Sequence, residues 1–104
     1  MAAFNVVATK NVGTTPVTIY TATSNTVVIG LNAANIYPSE LPIDIWYTRA
    51  GDDTYIQKQF RVSPGENNEV MRGNKIVLET GDMLKASTAL ANGFDILVSV
   101  LEGV

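Results

Sequence analysis

Asp52 and Asp53 form the one adjacent acidic pair in the chain, and neighbouring carboxylates are what a hard divalent cation takes as ligands. Such a site needs about six or more converging oxygens, and no ladder of spaced Asp or Asn residues surrounds this pair. With Gly51 just before them, the two acids read more simply as the polar tip of a turn. Glu66, Glu69 and Glu79 could supply the two carboxylates that glycoside hydrolysis uses. A chain with ten acidic residues offers such pairs by number alone, however, and nothing in the spacing fixes their separation. Asn67 and Asn68 fall in a turn-like stretch, where short amide side chains bond to local backbone. No glycine cluster precedes a helix start, so there is no phosphate cradle.

Two absences narrow the chemistry further. The sequence contains no Cys and no His. Without Cys there is no disulfide framework, thiolate nucleophile or zinc ribbon. Without His the usual general base near neutral pH and the commonest metal ligand are gone. No catalytic, metal-binding or cofactor-binding residue emerges, and the chain reads as something other than an enzyme. The net charge is −3, and Lys10, Arg49, Lys58, Arg61, Arg72, Lys75 and Lys85 are scattered. A nucleic-acid binder needs a concentrated basic footprint, so no nucleic-acid partner is expected.

The aromatic residues then carry the interest, because Trp and Tyr anchor protein interfaces and serve as stacking platforms for sugars. Phe60, Phe94 and Tyr20 read as core, whereas Trp46 and Tyr55 lie opposite the more apolar face of their strands and are divided between interface and core.

The elements that must position these groups are strands almost throughout. Val, Ile and Thr are frequent, and Gly, Asn or Pro punctuates the chain every ~8–12 residues. The pattern predicts strands over Phe4–Thr9, Thr15–Thr23, Thr26–Ile36, Ile43–Arg49, Thr54–Val62, Lys75–Glu79, Met83–Ser87 and Phe94–Glu102. Ala50–Asp53 reads as a hairpin loop, and Ser63-Pro64-Gly65-Glu66 has the Pro and Gly placement of a type II turn. Asn92-Gly93 launches the last strand. Only Ala86–Asn92 has the composition of a helical turn, and it is too short to form alone.

Alternation separates the faces of the last strand: Phe94, Ile96, Val98 and Val100 on one side, Asp95, Leu97, Ser99 and Leu101 on the other. The first set is a core face. The second holds two leucines where water is expected, which predicts a cover from another strand layer or another subunit. Likewise Trp46 sits on the side of its strand that should be wet.

With 104 residues, 46% hydrophobic and only 16% charged, one domain spanning residues 1–104 is expected. It reads as an all-β, β-sandwich or jelly-roll-like unit of about eight short antiparallel strands. Met1–Asn5 reads as an extended arm able to pair with a neighbour's strand edge. That start lacks the basic residues and apolar run of a signal peptide, and no stretch reaches the ~18 apolar residues of a membrane helix. An unexported, soluble product with no membrane partner is expected.

Thr18-Ile19-Tyr20-Thr21-Ala22-Thr23, followed by Val27–Asn35, resembles the opening of a family of small bacteriophage virion structural proteins, found among tailed phages including those of cyanobacteria. The C-terminal part agrees, since Lys75–Glu79, Gly81-Asp82 and Asp95–Glu102 match that family's ending. The chain departs at Lys85-Ala86-Ser87, where a β-branched residue is usual, and at Asn92-Gly93-Phe94, where Ser is usual. The resemblance covers roughly two-thirds of the chain and leaves Tyr37–Asn68 unaligned.

The resemblance implies a virion protein, assembled in the host cytoplasm and present in many copies. A capsid decoration (cement) protein bridging major capsid proteins comes first. A neck, tail or baseplate component comes second, and a carbohydrate-binding attachment module, with Trp46 or a tyrosine as its platform, third. The expected partners are major capsid protein or other virion proteins and further copies of the chain, a trimer first. The residues expected at an interface are Trp46, Tyr55, Leu97, Leu101 and Phe4.

Overall fold

Nine strands account for most of the chain in a computed structural model that describes residues 2–104. They are β1 (Ala3–Val12), β2 (Val17–Thr21), β3 (Thr26–Asn35), β4 (Leu41–Arg49), β5 (Asp52–Val62), β6 (Asn67–Glu69), β7 (Ile76–Leu78), β8 (Met83–Thr88) and β9 (Phe94–Glu102). No helix occurs among the described residues. The small-residue stretch Ala86–Asn92 finishes β8 and then turns, because a few residues cannot meet the cost of helix nucleation while an edge of β4 is available for pairing.

The strands form two antiparallel sheets, one ordered β1-β9-β3 with β6 and β7 both beside β3, the other β2-β8-β4-β5. β7 pairs with Thr26–Val28 and β6 with Asn32–Ala34, so the two fill one strand position in succession. The pairs are therefore nested: β1 with β9, β2 with β8, β3 with β6 and β7, β4 with β5. A long hairpin wrapped onto itself in this order is a jelly roll, with every neighbouring pair antiparallel. Eight strand positions and this topology match the expectation from the sequence. Met1 lies outside the described residues. Of the remaining expected arm, Ala3, Phe4 and Asn5 stand in β1 opposite Glu102, Leu101 and Val100.

The core lies between the sheets. Phe94, Ile96, Val98 and Val100 of β9 are buried, as are Leu31 and Ala33 of β3, Ile43 and Ile45 of β4, and Leu84 and Ala86 of β8. Fully burying each large aliphatic or aromatic side chain contributes about 1.5–3 kcal/mol.

Alternation is not continuous along β3. Thr26 and Val28 face inward, then a register shift between Val28 and Gly30 moves the inward set to Leu31, Ala33 and Asn35. A bulge of this kind adds one residue to one strand and turns the following side chains to the other face.

The loops show why particular residues stand in them. Arg49 pairs with Asp52, leaving Ala50 (φ 53) and Gly51 (φ 85) as a two-residue hairpin with both φ positive, the backbone that matches strand twist. Asp52 and Asp53 thus belong to β5 and not to the loop. At Ser63–Glu66 the Glu66 N–H donates to the Ser63 carbonyl at 3.1 Å, with Gly65 at φ 76, as a type II turn requires.

Gly93 is constrained by space. A Cβ there would lie 2.7 Å from Thr88 Cγ2 and 2.8 Å from Leu41 Cδ1. Thr88 is also fixed by its hydroxyl, which donates to the Pro42 carbonyl at 2.6 Å. Gly30, by contrast, would meet Ser99 Cβ at an ordinary 3.6 Å. Gly93→Ala is expected to lose about 1–3 kcal/mol of unfolding free energy through overpacking. Gly30→Ala should stay within about 1 kcal/mol of the wild type. Denaturant unfolding of the two variants checks both values, and equal losses would contradict the steric account.

Candidate functional site

β9 presents its polar-parity side chains to the outside of the β1-β9-β3 sheet, and no other layer of the described chain covers them. Leu97 is 46% exposed and Leu101 is half-buried. The register brings further apolar groups beside them. Phe4 of β1 stands opposite Leu101, Leu101 opposite Val27 of β3, and Val27 opposite Val77 of β7. Four apolar side chains thus form a row straight across the sheet. Phe4 is 77% exposed and Val77 63%. Val6 (60%) and the bulge residue Ile29 (40%) extend the patch along the strands.

An exposed, contiguous apolar face of this sort marks a surface that associates with something. Single exposed hydrophobic residues are ordinary, but a cross-strand row is not. Charge stands only at its margins, with Glu102 following Leu101 and Lys75 and Glu79 flanking Val77, while Asp95, Glu69 and Lys10 stand toward the other end of the sheet. The arrangement can bury area and exclude water, and it supplies no group that donates a proton or attacks a bond.

The other sheet's outer face is built differently. Trp46 lies opposite Tyr55 on one side and Lys85 on the other. The Trp46 and Tyr55 rings are 5.5 Å apart, inclined at 41°, and Lys58 Nζ sits 4.5 Å from the Tyr55 ring centre. Trp46 is only 7% exposed although it lies outside the core between the sheets. Its neighbours on β5 and β8 cover it, so its ring face is not open as a stacking platform. Tyr55 is 45% exposed.

Of the five residues that the sequence suggested for an interface, Phe4, Leu97 and Leu101 share the first sheet's outer face, with Phe4 and Leu101 directly opposed. Trp46 and Tyr55 share the second. Val6, Val27, Ile29 and Val77 escaped the sequence reading. Alternation with Phe4 was a signal for Val6, but nothing local announces that Val27 and Val77 continue the row, because cross-strand register depends on the fold.

Polar side chains elsewhere hold loops. Asp82 is buried (3% exposed) and accepts from Arg49 Nε at 3.0 Å and Arg49 Nη2 at 2.6 Å, and from the Glu79 backbone N–H at 2.8 Å. The Arg49 guanidinium, and then the Glu79 N–H, hold the Asp82 carboxyl below its ordinary 3.8 against the opposing effect of burial. The pair fastens the β4–β5 hairpin to the turn before β8. Burial, followed by the hydrogen bond to Glu102, raises the Tyr20 hydroxyl pKa. Asn68 Nδ2 donates to Gln57 Oε1 at 2.6 Å, tying β6 to β5 across the sandwich.

The candidate chemical groups do not assemble. Asp53 accepts from the Thr48 hydroxyl at 2.7 Å, and Glu69 caps the Met71 and Arg72 N–H groups at 2.9 Å each. Among the described residues no three Asp or Glu side chains converge in a way that would hold a metal ion. Two shallow grooves, of about 310 Å³ beside Lys10 and Thr14 and about 670 Å³ beside Tyr37 and Pro64, lack convergent titratable groups. Among the described residues no helix is long and apolar enough to cross a membrane.

Comparison with known proteins finds relatives of the fold. A chain from the structure described as "Bacillus endospore appendages form a novel family of disulfide-linked pili" aligns over 99% of this chain and 88% of its own length, with a TM-score of 0.62 and 12% identity. A chain from "Crystal structure of the T13 IBDV viral particle reveals a missing link in icosahedral viruses evolution" aligns over 99% of this chain at a TM-score of 0.52 and 9% identity, and this chain spans 36% of that one. No family profile and no curated protein sequence matches. At such identities the likeness establishes a shared all-β sandwich fold.

Because Asp82 has a depressed pKa when folded, its stabilisation is present above the unfolded value and is lost as pH falls through the folded one. The wild-type denaturation midpoint is therefore expected to drop below about pH 4. Asp82→Asn should start from a lower midpoint at pH 7 and decline less on acidification. Denaturant titrations between pH 2 and 7 read both slopes, and parallel slopes would contradict the role given to this pair.

Proposed function

We propose that the chain is a non-enzymatic structural component of a bacteriophage particle, and in the first place a capsid decoration protein that bridges major capsid proteins on the outside of the head. One observation carries the assembly part of this reading. The first sheet's outer face presents the apolar row Phe4–Leu101–Val27–Val77, with Val6, Ile29 and Leu97 beside it, and no reactive group accompanies it. A surface with area but no chemistry fits adhesion.

Two further lines support the reading. Jelly rolls recur in proteins that build shells, and the printed descriptions of the two similar structures name a pilus and a viral particle. The blocks Thr18–Thr23, Val27–Asn35, Lys75–Glu79 and Asp95–Glu102 resemble those of phage virion proteins and support the phage part. The disulfide linkage named for the pili has no counterpart in a chain without Cys, and what the apolar row supplies is non-covalent contact. A specific contact of this kind buries about 1,200–2,000 Å² in total, with apolar anchors at its centre and a polar rim.

The test uses phage particles assembled without this protein. Added back, the wild-type chain should bind them and raise the temperature at which heads rupture. Phe4→Glu and Leu97→Glu should weaken retention on particles by about tenfold or more. Because both side chains are exposed, the folded state should change by no more than about 0.5 kcal/mol. Quantitative gels of virions separate the locations: hundreds of copies for decoration, tens or fewer for a neck, tail or baseplate part. Rupture temperatures that do not change with the protein would overturn cementing, and absence from purified virions would overturn the reading as a whole.

A further inference from the structure

The sandwich has four outer edges: β1 and the β6/β7 position in one sheet, β2 and β5 in the other. Sheets guard such edges with charge, proline, bulges or brevity, because an open row of N–H and C=O groups pairs with any strand that reaches it. Three of these edges are guarded. β5 carries Asp52, Asp53, Lys58 and Arg61, two register shifts against β4, and Gln59 at φ 53. β2 is five residues long, follows Pro16 and contains a register shift. β6 and β7 have three residues each.

β1 is the exception. It has ten residues, and its one charge, Lys10, and its register shift between Thr9 and Val12 both lie at the C-terminal end. Ala3–Ala8 pairs with β9 in unbroken register and carries no charge, and within it only Val7 is partly buried.

The direction of its backbone groups follows from two hydrogen bonds. The Ile36 N–H beyond β3 donates to the Gly93 carbonyl at 2.9 Å, so odd-numbered residues of β9 aim their backbone groups at β3 and even-numbered ones at β1, where the register sets them against Ala3, Asn5, Val7 and Thr9. The Val6 N–H donates instead to Oδ1 of its own neighbour, Asn5, at 2.9 Å. Antiparallel strands alternate in this respect, which places the N–H and C=O groups of Phe4, Val6 and Ala8 on the free edge. Their side chains are those exposed on the apolar outer face.

We infer that β1 pairs with β1 of a second copy of this chain, antiparallel about a two-fold axis at Val6. Centred there, Val6 meets Val6 of the other copy, and Phe4 of each meets Ala8 of the other. The largest side chain faces the smallest, and Lys10 falls beyond the paired segment. Between chains that each carry a net charge of −3, an uncharged edge is the surface that can approach its own copy without repulsion. The apolar rows of the two copies then run side by side across one sheet. A strand pair of about five residues, Phe4–Ala8, is smaller than a permanent dimer needs, so pairing is a concentration-dependent equilibrium that strengthens when copies are held together on a particle. The inference deepens the assembly reading and rests on it for its biological sense, while its geometry stands on β1 alone.

The absence of Cys makes a direct test available. Val6→Cys gives each copy one thiol, and hydrogen-bonded antiparallel partners place their Cα atoms about 5.5 Å apart, within the roughly 4.4–6.8 Å that a disulfide spans. Val77→Cys, equally exposed on the same face but on the opposite edge, is the control. Under mild oxidation the Val6→Cys chain should form disulfide dimers at least about tenfold faster than the control. Sedimentation of the wild-type chain should show a monomer–dimer equilibrium. Val6→Pro removes an N–H that the β1–β9 ladder does not use, so it should abolish the dimer with little change in melting temperature.

A monomer at every concentration, a trimer, or equal crosslinking of the two cysteine variants would overturn the pairing. If Val6→Pro unfolds, the cysteine comparison decides alone. Failure here alongside intact binding to particles would remove the β1 pair and leave the assembly reading standing. Dimerisation in a chain absent from virions would do the reverse.

Discussion

β9 is hydrogen-bonded on both sides, to β1 and to β3, while Phe94, Ile96, Val98 and Val100 are buried beneath it. The rest of the structure depends on this double constraint. A central strand with one fully apolar face sets the register of both neighbours, because slipping by one residue would carry Leu97 and Leu101 inside and Phe94 and Ile96 into water. The registers of β1 and β3 against β9 then decide what stands beside what on the outside. The apolar row from Phe4 to Val77 is thus a consequence of how the core is packed, even though none of its members belongs to the buried set.

The two outer faces illustrate how differently a sandwich can use the same freedom. On the β4–β5–β8 side, Trp46 is buried between Tyr55 and Lys85 on the adjoining strands, and the Lys58 ammonium sits over the Tyr55 ring. That face is finished within the chain. On the β9 side, no other described part of the chain reaches over the apolar groups. Small domains leave much surface uncovered, and here the uncovered part is apolar on one face and mixed on the other. Polar chemistry is spent on architecture: Arg49 with Asp82, Asn68 with Gln57, and Glu69 with two backbone N–H groups all fasten loops or join the sheets.

Bulges mark where pattern reading loses its footing. The bulge at Ile29-Gly30 gives Thr26–Asn35 two inward sets in succession, so the stretch reads as a nearly unbroken apolar run. The shifts between β4 and β5 bring Tyr55 opposite Trp46, whose outward side alternation gives but whose covering by neighbouring strands it does not. Asn67 and Asn68 carry turn chemistry and no strand signal in the sequence, and only pairing with Asn32–Ala34 makes Asn67–Glu69 a strand.

Local physics was enough for much of the molecule. Alternating Val, Ile and Thr, turn residues with defined φ requirements, and the lack of Cys and His were legible in the residues themselves. They specified an all-β sandwich, the ends of most strands to within a few residues, and a chain without the usual reactive groups. Two leucines on the wet side of the last strand also showed that something apolar would be left outside. Tertiary structure alone decided that Phe4, Leu101, Val27 and Val77 stand in one row, that Trp46 is covered, and that β1 offers an open edge. Those facts depend on which strands lie side by side and in what register. That is set by the summed burial of residues distant along the chain, a quantity no window of sequence contains.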